Sequence, residues 1–273
     1  MNFFSFESAA ERYAGGRPFF HSVVIKRVRE FLSLTEPLMR ALDVGCGTGL
    51  STIALKEIAS RIVGLDAAPS MIAHAPRDAS IRYVIAVAER LPFSAQKFDF
   101  LTLSQVSHWL DRKAFFAEAR RVLRPESWLV AYDAYFSAQT IEHTDFQAWH
   151  ESVYLKNYPS PPRAPIALSA EDVQGTGLQL RKEERLQHTI SFTIERLVEY
   201  LLTQSNVIAA VEGGAKEIGE VRLWLTENVR PFFAGRAEAG FLFNVPIWYL
   251  QSEREGSGGE RHQISTGDDD EKD

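Results

Sequence analysis

Cysteine is almost absent from this chain. A single cysteine, Cys46, occurs among 273 residues. One thiol excludes a framework of intramolecular disulfides and is typical of a reducing compartment, so we expect a cytoplasmic protein. Cys46 stands between two glycines, and we interpret it as a small residue in a tight turn rather than as a reactive thiol.

Long apolar runs are also lacking. No stretch is long enough to cross a bilayer, and the first residues do not form a secretory signal, so we expect no membrane partner. Hydrophobic residues still make up 45% of the chain. That content supports the core of one large α/β domain with an elaboration.

Positive charge is not concentrated anywhere. The net charge is -6, and residues 253–273 contain eight acids against three bases, so the rest of the chain is nearly neutral. Without a basic stripe, the composition gives no support for a nucleic-acid partner. Residues 252–273 are rich in glycine, serine and aspartate, and we predict a disordered acidic tail there.

A glycine-rich turn lies near the centre of the first half of the chain. Gly45, Gly47 and Gly49 end the apolar run of residues 37–44 and precede a helix-compatible stretch. A strand, a glycine turn and a helix in this order form the first half of a nucleotide-binding βα unit. Glycine permits positive φ angles and lets the backbone approach a ligand closely.

The spacing of these glycines argues against a dinucleotide. Position 50 is Leu50, so the pattern is Gly-x-Gly-x-Gly rather than the wider Gly-x-Gly-x-x-Gly. Asp43, two residues before the first glycine, would repel a pyrophosphate and suit a cation. A second acid, Asp66, ends the next apolar strand about 20 residues beyond the turn, where it can accept both hydroxyls of a ribose. The alternative for Asp66 is a helix-capping acid.

Alternating strands and helices predict the fold class. Apolar stretches at residues 81–86, 98–104 and 128–132 read as further strands, with a helix at 112–123. The alternation favours an α/β protein with a mostly parallel sheet and helices on both faces. Ligands bind at the carboxyl ends of such strands, so His108 and Tyr135 should border the pocket. His108 is a candidate general base, or a packed and hydrogen-bonded residue.

Together these segments resemble the class I S-adenosylmethionine-dependent methyltransferases. Tyr13-x-x-x-Arg17-Pro18 and the pair His108-Trp109 are similar to the small-molecule, trans-aconitate-type branch, methyltransferase type 11. The resemblance covers residues 13–133. It implies a Rossmann-like, seven-stranded sheet whose last strand is reversed, a small helical cap, and S-adenosyl-L-methionine as cofactor.

The resemblance also implies roles for individual residues. Arg17 would pair with the methionine carboxylate, unless it is a solvated arginine. Val87 departs from the family, which often has an aspartate there, so a hydrogen bond to adenine is absent or passes to Glu89. The predicted substrate residues are His108, Trp109 and Tyr135, with His108 also the catalytic candidate. The predicted cofactor-binding residues are Tyr13, Arg17, Asp43, Gly45, Cys46, Gly47, Gly49, Asp66, Ala67, Met71, Ala88, Glu89, Ser104 and Gln105.

Four segments follow from these assignments. We expect a helical segment over 1–36 that closes over the cofactor, a cofactor-binding core over 37–136, completion of the sheet plus a helical substrate cap over 137–251, and the tail over 252–273. His143, Asp145 and His150 lack a third or fourth ligand in register, so we expect no metal and interpret them as a helix surface.

The predicted function is methyl transfer to a small-molecule acceptor, with a carboxylate as one candidate. A carboxylate is already ionised at neutral pH and needs no general base. The alternatives are a non-catalytic S-adenosylmethionine-binding protein and an NAD-dependent oxidoreductase, which would need the wider glycine turn. The sequence leaves the oligomeric state undetermined.

Overall fold

A computed structural model describes residues 6–141, 145–162, 164–165 and 167–254. The predicted acidic tail therefore lies outside the described residues except for 252–254, as does His143. Within the described ranges, no helix is long and apolar enough to cross a membrane.

An eight-stranded sheet forms the centre of the molecule. Its strands are β1 (Leu38–Val44), β2 (Ala59–Asp66), β3 (Ile81–Ile85), β4 (Phe98–Ser104), β5 (Leu123–Tyr132), β6 (Tyr135–Thr140), β7 (Leu178–Phe192) and β8 (Ala239–Ser252). Five strands run parallel in the order β3-β2-β1-β4-β5, and β8 runs antiparallel beside β5. The predicted mostly parallel sheet with a reversed last strand is confirmed.

The eight strands occupy seven positions. β7 pairs along the whole of β8, so β5 and β6 share its other edge. Tyr132 of β5 pairs with Ile247, and Phe136 of β6 pairs with Phe243 farther along the same strand. β6 thus continues the line of β5 after a short break, and the seven-stranded plan is kept.

Strand β6 is not predicted by the sequence. The strand is short, and its register shifts between Phe136 and Thr140, where Ala138 adopts a φ of 56°. A bulge interrupts the two-residue alternation that marks a strand, so no periodic signal remains.

Helices cover both faces of the sheet. They are α1 (Glu7–Gly16), α2 (His21–Phe31), α3 (Leu50–Ala54), α4 (Pro69–Ala73), α5 (Arg112–Val122), α6 (Asp145–Trp149), α7 (Leu155–Asn157), α8 (Ile194–Leu202), α9 (Ser205–Glu212) and α10 (Ile218–Val229). Val28 of α2 and Ala54 of α3 share a buried cluster with Phe100. Phe115 of α5 packs with Leu101, the next residue of β4, in a second cluster. Adjacent residues of one strand therefore face opposite helical layers.

A helical cap follows the parallel part of the sheet. Three helices, α8 to α10, separate β7 from β8. Before them, α6 continues from Asp145 through a π-helical turn, His150–Tyr154, into α7. Buried residues of the cap, such as Tyr154 and Leu201, belong to the same apolar cluster as Phe100 of the sheet. The cap is therefore part of the main core.

Helix α1 packs directly on the cap. A Cβ at Gly16 would lie 2.6 Å from the carbonyl oxygen of Glu199, so only glycine allows this approach. Arg12 pairs with Glu212 at 2.5 Å at the far end of the cap. These contacts hold the beginning of the chain against residues that come about two hundred positions later.

Candidate functional site

A cleft of about 650 Å³ opens at the carboxyl ends of the parallel strands. Residues after β1, β2, β3, β4 and β5 form its floor and sides, while α1, the π-helical turn and α8 contribute its roof. A narrower cavity of about 40 Å³ adjoins it beneath the glycine turn and shares Tyr13, Arg17, Gly45 and Gly47 with it. The larger volume lies within the range of about 300–1,000 Å³ that is usual for small-ligand sites.

The glycine turn forms one wall of the cleft. Gly45 and Gly47 have φ angles of 68° and 54°. A Cβ at Gly45 would lie 2.6 Å from Val106 Cγ2, and one at Gly47 would lie 3.1 Å from Met71 Cε. Both positions therefore need glycine, because the φ angle is positive and because a Cβ would meet a neighbouring side chain. Without side chains, the backbone of the turn can approach a ligand closely.

Gly49 has a different role. It precedes α3 with a φ of 81°, and a Cβ there would lie 2.5 Å from the hydroxyl oxygen of Tyr83. It lines neither cavity. The structure thus places the third glycine in the packing of the turn, away from the predicted contact with the cofactor.

Asp66 connects two backbone segments at the cleft. Its Oδ2 accepts the backbone N–H of Gly47, and its Oδ1 accepts that of Ala68, each at 2.8 Å. Partial burial raises the pKa of the Asp66 carboxyl, and the backbone donors oppose that shift. A carboxylate oxygen has a second lone pair, so Asp66 can still accept hydroxyls of a bound ribose.

Asp43 requires a correction. The sequence places it among the cofactor contacts, but its side chain is 0% exposed and lines neither cavity. Its oxygens accept the hydroxyls of Ser51, Thr52 and Thr102 at 2.6, 2.7 and 2.9 Å. Burial raises the pKa of Asp43 to about 6. The residue ties β1 to α3 and β4 from behind the turn.

Arg17 extends from the end of α1 into both cavities. Its guanidinium donates to the backbone carbonyl of Thr203 at 3.1 Å and to Gln105 Oε1 at 3.4 Å. Its Cζ lies 4.6 Å from the ring centroid of Tyr13 and 5.4 Å from that of Tyr200. Among the described residues, none of the ion pairs involves Arg17. A half-buried cation with only neutral partners is suited to an anionic ligand group.

The far end of the cleft lies after β3. Ala88 is buried, whereas the side chain of Val87 is half exposed and lines the cleft. Glu89 Oε1 accepts the backbone N–H of Asp111 at 3.1 Å, so this acid holds a neighbouring loop. No side-chain carboxylate replaces the missing aspartate at position 87 itself.

The near end lies after β4 and β5. His108 is 8% exposed, and its Nδ1 lies 4.0 Å from Asp133 Oδ2. Gln105 adopts a φ of 56°, which is costly for a residue with a side chain, and this bend directs the chain from β4 toward His108. Trp109 and Tyr135 are 40% and 42% exposed along the rim.

An aromatic wall at the near end is not predicted by the sequence. It consists of Phe136, His150, Tyr154 and Tyr200. The rings of His150 and Tyr154 are stacked at 4.9 Å, and those of Phe136 and Tyr200 meet edge to face at 5.6 Å, both between centroids. His150 does not belong to an outer helix surface, and burial lowers the pKa of its imidazole. Aromatic residues in a cap are indistinguishable from core in sequence alone, so no signal identifies them.

Most predicted site residues meet in this region. Fifteen line one or both cavities: Tyr13, Arg17, Gly45, Cys46, Gly47, Asp66, Ala67, Met71, Ala88, Glu89, Ser104, Gln105, His108, Trp109 and Tyr135. Asp43 and Gly49 do not. Across the described ranges, no group of three His, Cys, Asp or Glu side chains is placed to hold a metal ion.

Comparisons with known proteins agree with this geometry. Residues 42–131 match the methyltransferase domain family, type 11. A Dictyostelium discoideum protein designated a methyltransferase is 23% identical over 217 residues, which are 78% of this chain and 81% of that protein. The malonyl-[acyl-carrier protein] O-methyltransferase of Hahella chejuensis is 38% identical over 116 residues, 40% of each chain. The solved structure of an Anaeromyxobacter dehalogenans protein, described as a type II methyltransferase, superposes with a TM-score of 0.66 at 23% identity and covers 87% of this chain and 97% of its own.

Residues 42–131 match the type 11 methyltransferase domain, and this match together with the fold supports an S-adenosylmethionine-dependent methyltransferase with S-adenosylmethionine as its cofactor. Apart from the Dictyostelium protein, the curated relatives are matched over about half of their length or less. The cap falls outside the matched domain.

Proposed function

We propose that this protein transfers a methyl group from S-adenosylmethionine to a small-molecule acceptor. The observation that carries the proposal is the shape of the site. Most of the residues predicted to bind the cofactor line the same cleft as the aromatic wall. This cleft has a volume of about 650 Å³ and is roofed by α1 and the cap. A cleft of this size suits a cofactor plus a small molecule better than a folded protein or a nucleic acid.

The residues present fit the cofactor. Gly45 and Gly47 leave the space that a Cβ would fill, and the backbone between them faces the smaller cavity. Arg17 would hold the methionine carboxylate, and Asp66 would accept the ribose hydroxyls. The adenine would lie against Val87, Ala88 and Met71, with the backbone N–H of Ala88 as a donor.

When bound, S-adenosylmethionine supplies an electrophilic methyl group on a positively charged sulfur. The protein then has to align the acceptor and exclude water. Alignment alone lowers a barrier by roughly 7–11 kcal/mol in favourable cases. The tethered α1 and the aromatic wall of the cap serve both needs, and α1 would close over the cofactor.

The name of one relative is consistent with methyl transfer to an oxygen atom. The Hahella protein is by name an O-methyltransferase acting on malonyl-[acyl-carrier protein], although the matched 116 residues cover only 40% of it. The aromatic wall lies beyond residue 131, outside the domain that the relatives share. The acceptor therefore has to be inferred from the side chains of this chain.

Calorimetric titration with S-adenosylmethionine and S-adenosylhomocysteine tests the proposal. We expect micromolar dissociation constants for both and product formation with a small molecule. Absence of binding to either compound, in a protein whose unfolding is cooperative, would contradict it.

A further inference from the structure

We propose that the acceptor is an uncharged aromatic hydroxyl compound of the phenol or catechol type, and that Asp133 positions His108 to remove its proton. The inference rests on the proposed methyl transfer and narrows its acceptor. It departs from the carboxylate considered in the sequence analysis. Three features of the site support it: the charges of the cleft, the pair formed by Asp133 and His108, and the aromatic wall.

The charges at the near end disfavour a carboxylate acceptor. Among the described residues that line the cleft, Arg17 is the only lysine or arginine, and the methionine carboxylate would occupy it. Asp133 is 5% exposed and lines the same end. A carboxylate placed there would lose its hydration, gain no second cation and face a buried acid.

His108 and Asp133 are placed to take up a proton instead. They follow neighbouring parallel strands, β4 and β5, and both are buried at the cleft. His108 Nδ1 lies 4.0 Å from Asp133 Oδ2, an ion-pair distance at which the carboxylate favours the imidazolium that forms when His108 takes up a proton. An acceptor that is already ionised has no use for such a pair, whereas a hydroxyl does.

The aromatic wall favours a flat acceptor. Phe136 lies 5.7 Å from the ring of His150 and 5.6 Å from that of Tyr200, and Trp109 lies 5.0 Å from His108, all between ring centroids. These rings pack on one another and line the cleft, so an aromatic ligand can contact them in offset or edge-to-face geometry.

The reaction balances without another reagent. The imidazole of His108 takes the hydroxyl proton, and the acceptor oxygen forms a bond to the methyl carbon. The carbon–sulfur bond breaks with its electron pair on sulfur, which leaves neutral sulfur and a methyl ether. The proton on His108 is stabilised by Asp133 and then passes to solvent.

Binding measurements on the full chain saturated with S-adenosylhomocysteine test the proposal. The probes are catechol, benzoate, benzylamine and trans-aconitate, titrated separately by calorimetry. We expect catechol to bind at least tenfold more tightly than the other three. In Asp133→Asn, benzoate should bind several times more tightly than in the parent protein, because the repelling charge is gone, while catechol changes by less than threefold. Glu183→Gln, on the outer strand β7 and paired with Arg185, is the matched control and should change neither affinity.

Each other outcome overturns the acceptor class. Tighter binding of trans-aconitate or benzoate would identify an acid acceptor, and tighter binding of benzylamine would identify an amine. Failure of catechol to bind at millimolar concentration would also contradict the proposal. Failure of S-adenosylhomocysteine itself to bind would instead contradict the proposed methyl transfer.

Discussion

The carboxylate of Asp66 accepts the backbone N–H of Gly47 at 2.8 Å. An acid at the end of β2 therefore holds the glycine turn that follows β1, before any ligand is present. The same carboxylate accepts the N–H of Ala68 at the start of the loop into α4. One side chain thus fixes two of the backbone segments that line the cleft.

Removing this carboxylate should abolish cofactor binding. In Asp66→Ala, both backbone donors lose their partner and the ribose hydroxyls lose their acceptor. A charged hydrogen bond contributes about 1.5–3 kcal/mol, so we expect affinity for S-adenosylhomocysteine to fall about 100-fold or more, measured by calorimetry. His108→Ala should keep the parent affinity within about threefold, because His108 lies at the acceptor end. Equal losses in the two variants would contradict the division of roles.

Gly47→Ala should also weaken cofactor binding, with Gly175→Ala as its control. Both glycines have positive φ angles, 54° and 74°, so each alanine variant should lose about 1–2 kcal/mol of unfolding free energy. A Cβ at Gly47 meets Met71 and enters the cleft, whereas one at Gly175 meets nothing within 4 Å. Denaturant unfolding should therefore show similar losses, while titration should show a weakened cofactor only for Gly47→Ala. A matching loss of affinity in Gly175→Ala would show that general destabilisation is the cause.

Arg17→Gln should weaken the binding of ligands that carry the amino-acid portion of the cofactor and spare ligands that lack it. The arginine has neutral partners only, and its proposed role is to bind the methionine carboxylate. We expect S-adenosylhomocysteine to bind at least tenfold more weakly. Methylthioadenosine, which lacks the amino-acid portion, should change by less than threefold. Arg185→Gln, at a side chain that is 81% exposed on β7, should change neither. A similar loss for both ligands would assign Arg17 to the shape of the cleft instead.

His21 should make stability depend on pH. It is buried against Tyr132, with its Nδ1 2.9 Å from the phenol oxygen, and burial together with Arg17 lowers the pKa of His21 to about 3. Between that value and the ordinary pKa of about 6.5, only the unfolded chain binds the proton. Its contribution is thus present above pH 6.5 and is lost as the pH falls.

The measurement compares the parent protein with His21→Gln. From pH 7 to pH 5 the parent should lose about 2 kcal/mol more unfolding free energy than the variant, measured in denaturant at each pH. Asp43, whose pKa is raised to about 6, contributes stability at low pH that is lost as the pH rises through 6. It is present in both proteins, so its effect cancels in the difference. Identical pH profiles would contradict a neutral, buried His21.

Much of the cofactor-binding core could be predicted from the sequence because the residues that indicate it lie close together in the chain. An apolar strand, a glycine turn and an acid at the next strand end lie within 30 residues, and each carries its own steric or charge requirement. The positions of Asp43 and Gly49 outside the cleft could not be predicted in the same way. Their partners, Thr102 and Tyr83, come from other strands, so only the folded sheet shows that they face away from the cleft.

The acceptor end could be predicted only in part for a similar reason. Trp109 and Tyr135 follow strand ends, and parallel strands direct such residues to a common edge. His150 and Tyr200 belong to helices whose apolar periodicity is satisfied equally by core and by pocket. Their place in the cleft depends on a π-helical turn and on the packing of α8, neither of which leaves a periodic signal.

The bond between Arg17 and the carbonyl of Thr203 joins residues 186 positions apart. During synthesis, the glycine turn and its acids leave the ribosome long before the residue that anchors the cation beside them. β8, which pairs with β5, β6 and β7, is the last strand of the described residues to be synthesised. A chain that ends before the cap therefore carries the glycine turn and Asp66 but lacks Thr203 and β8, and its cleft is incomplete. The cleft can form only after most of the chain has been synthesised.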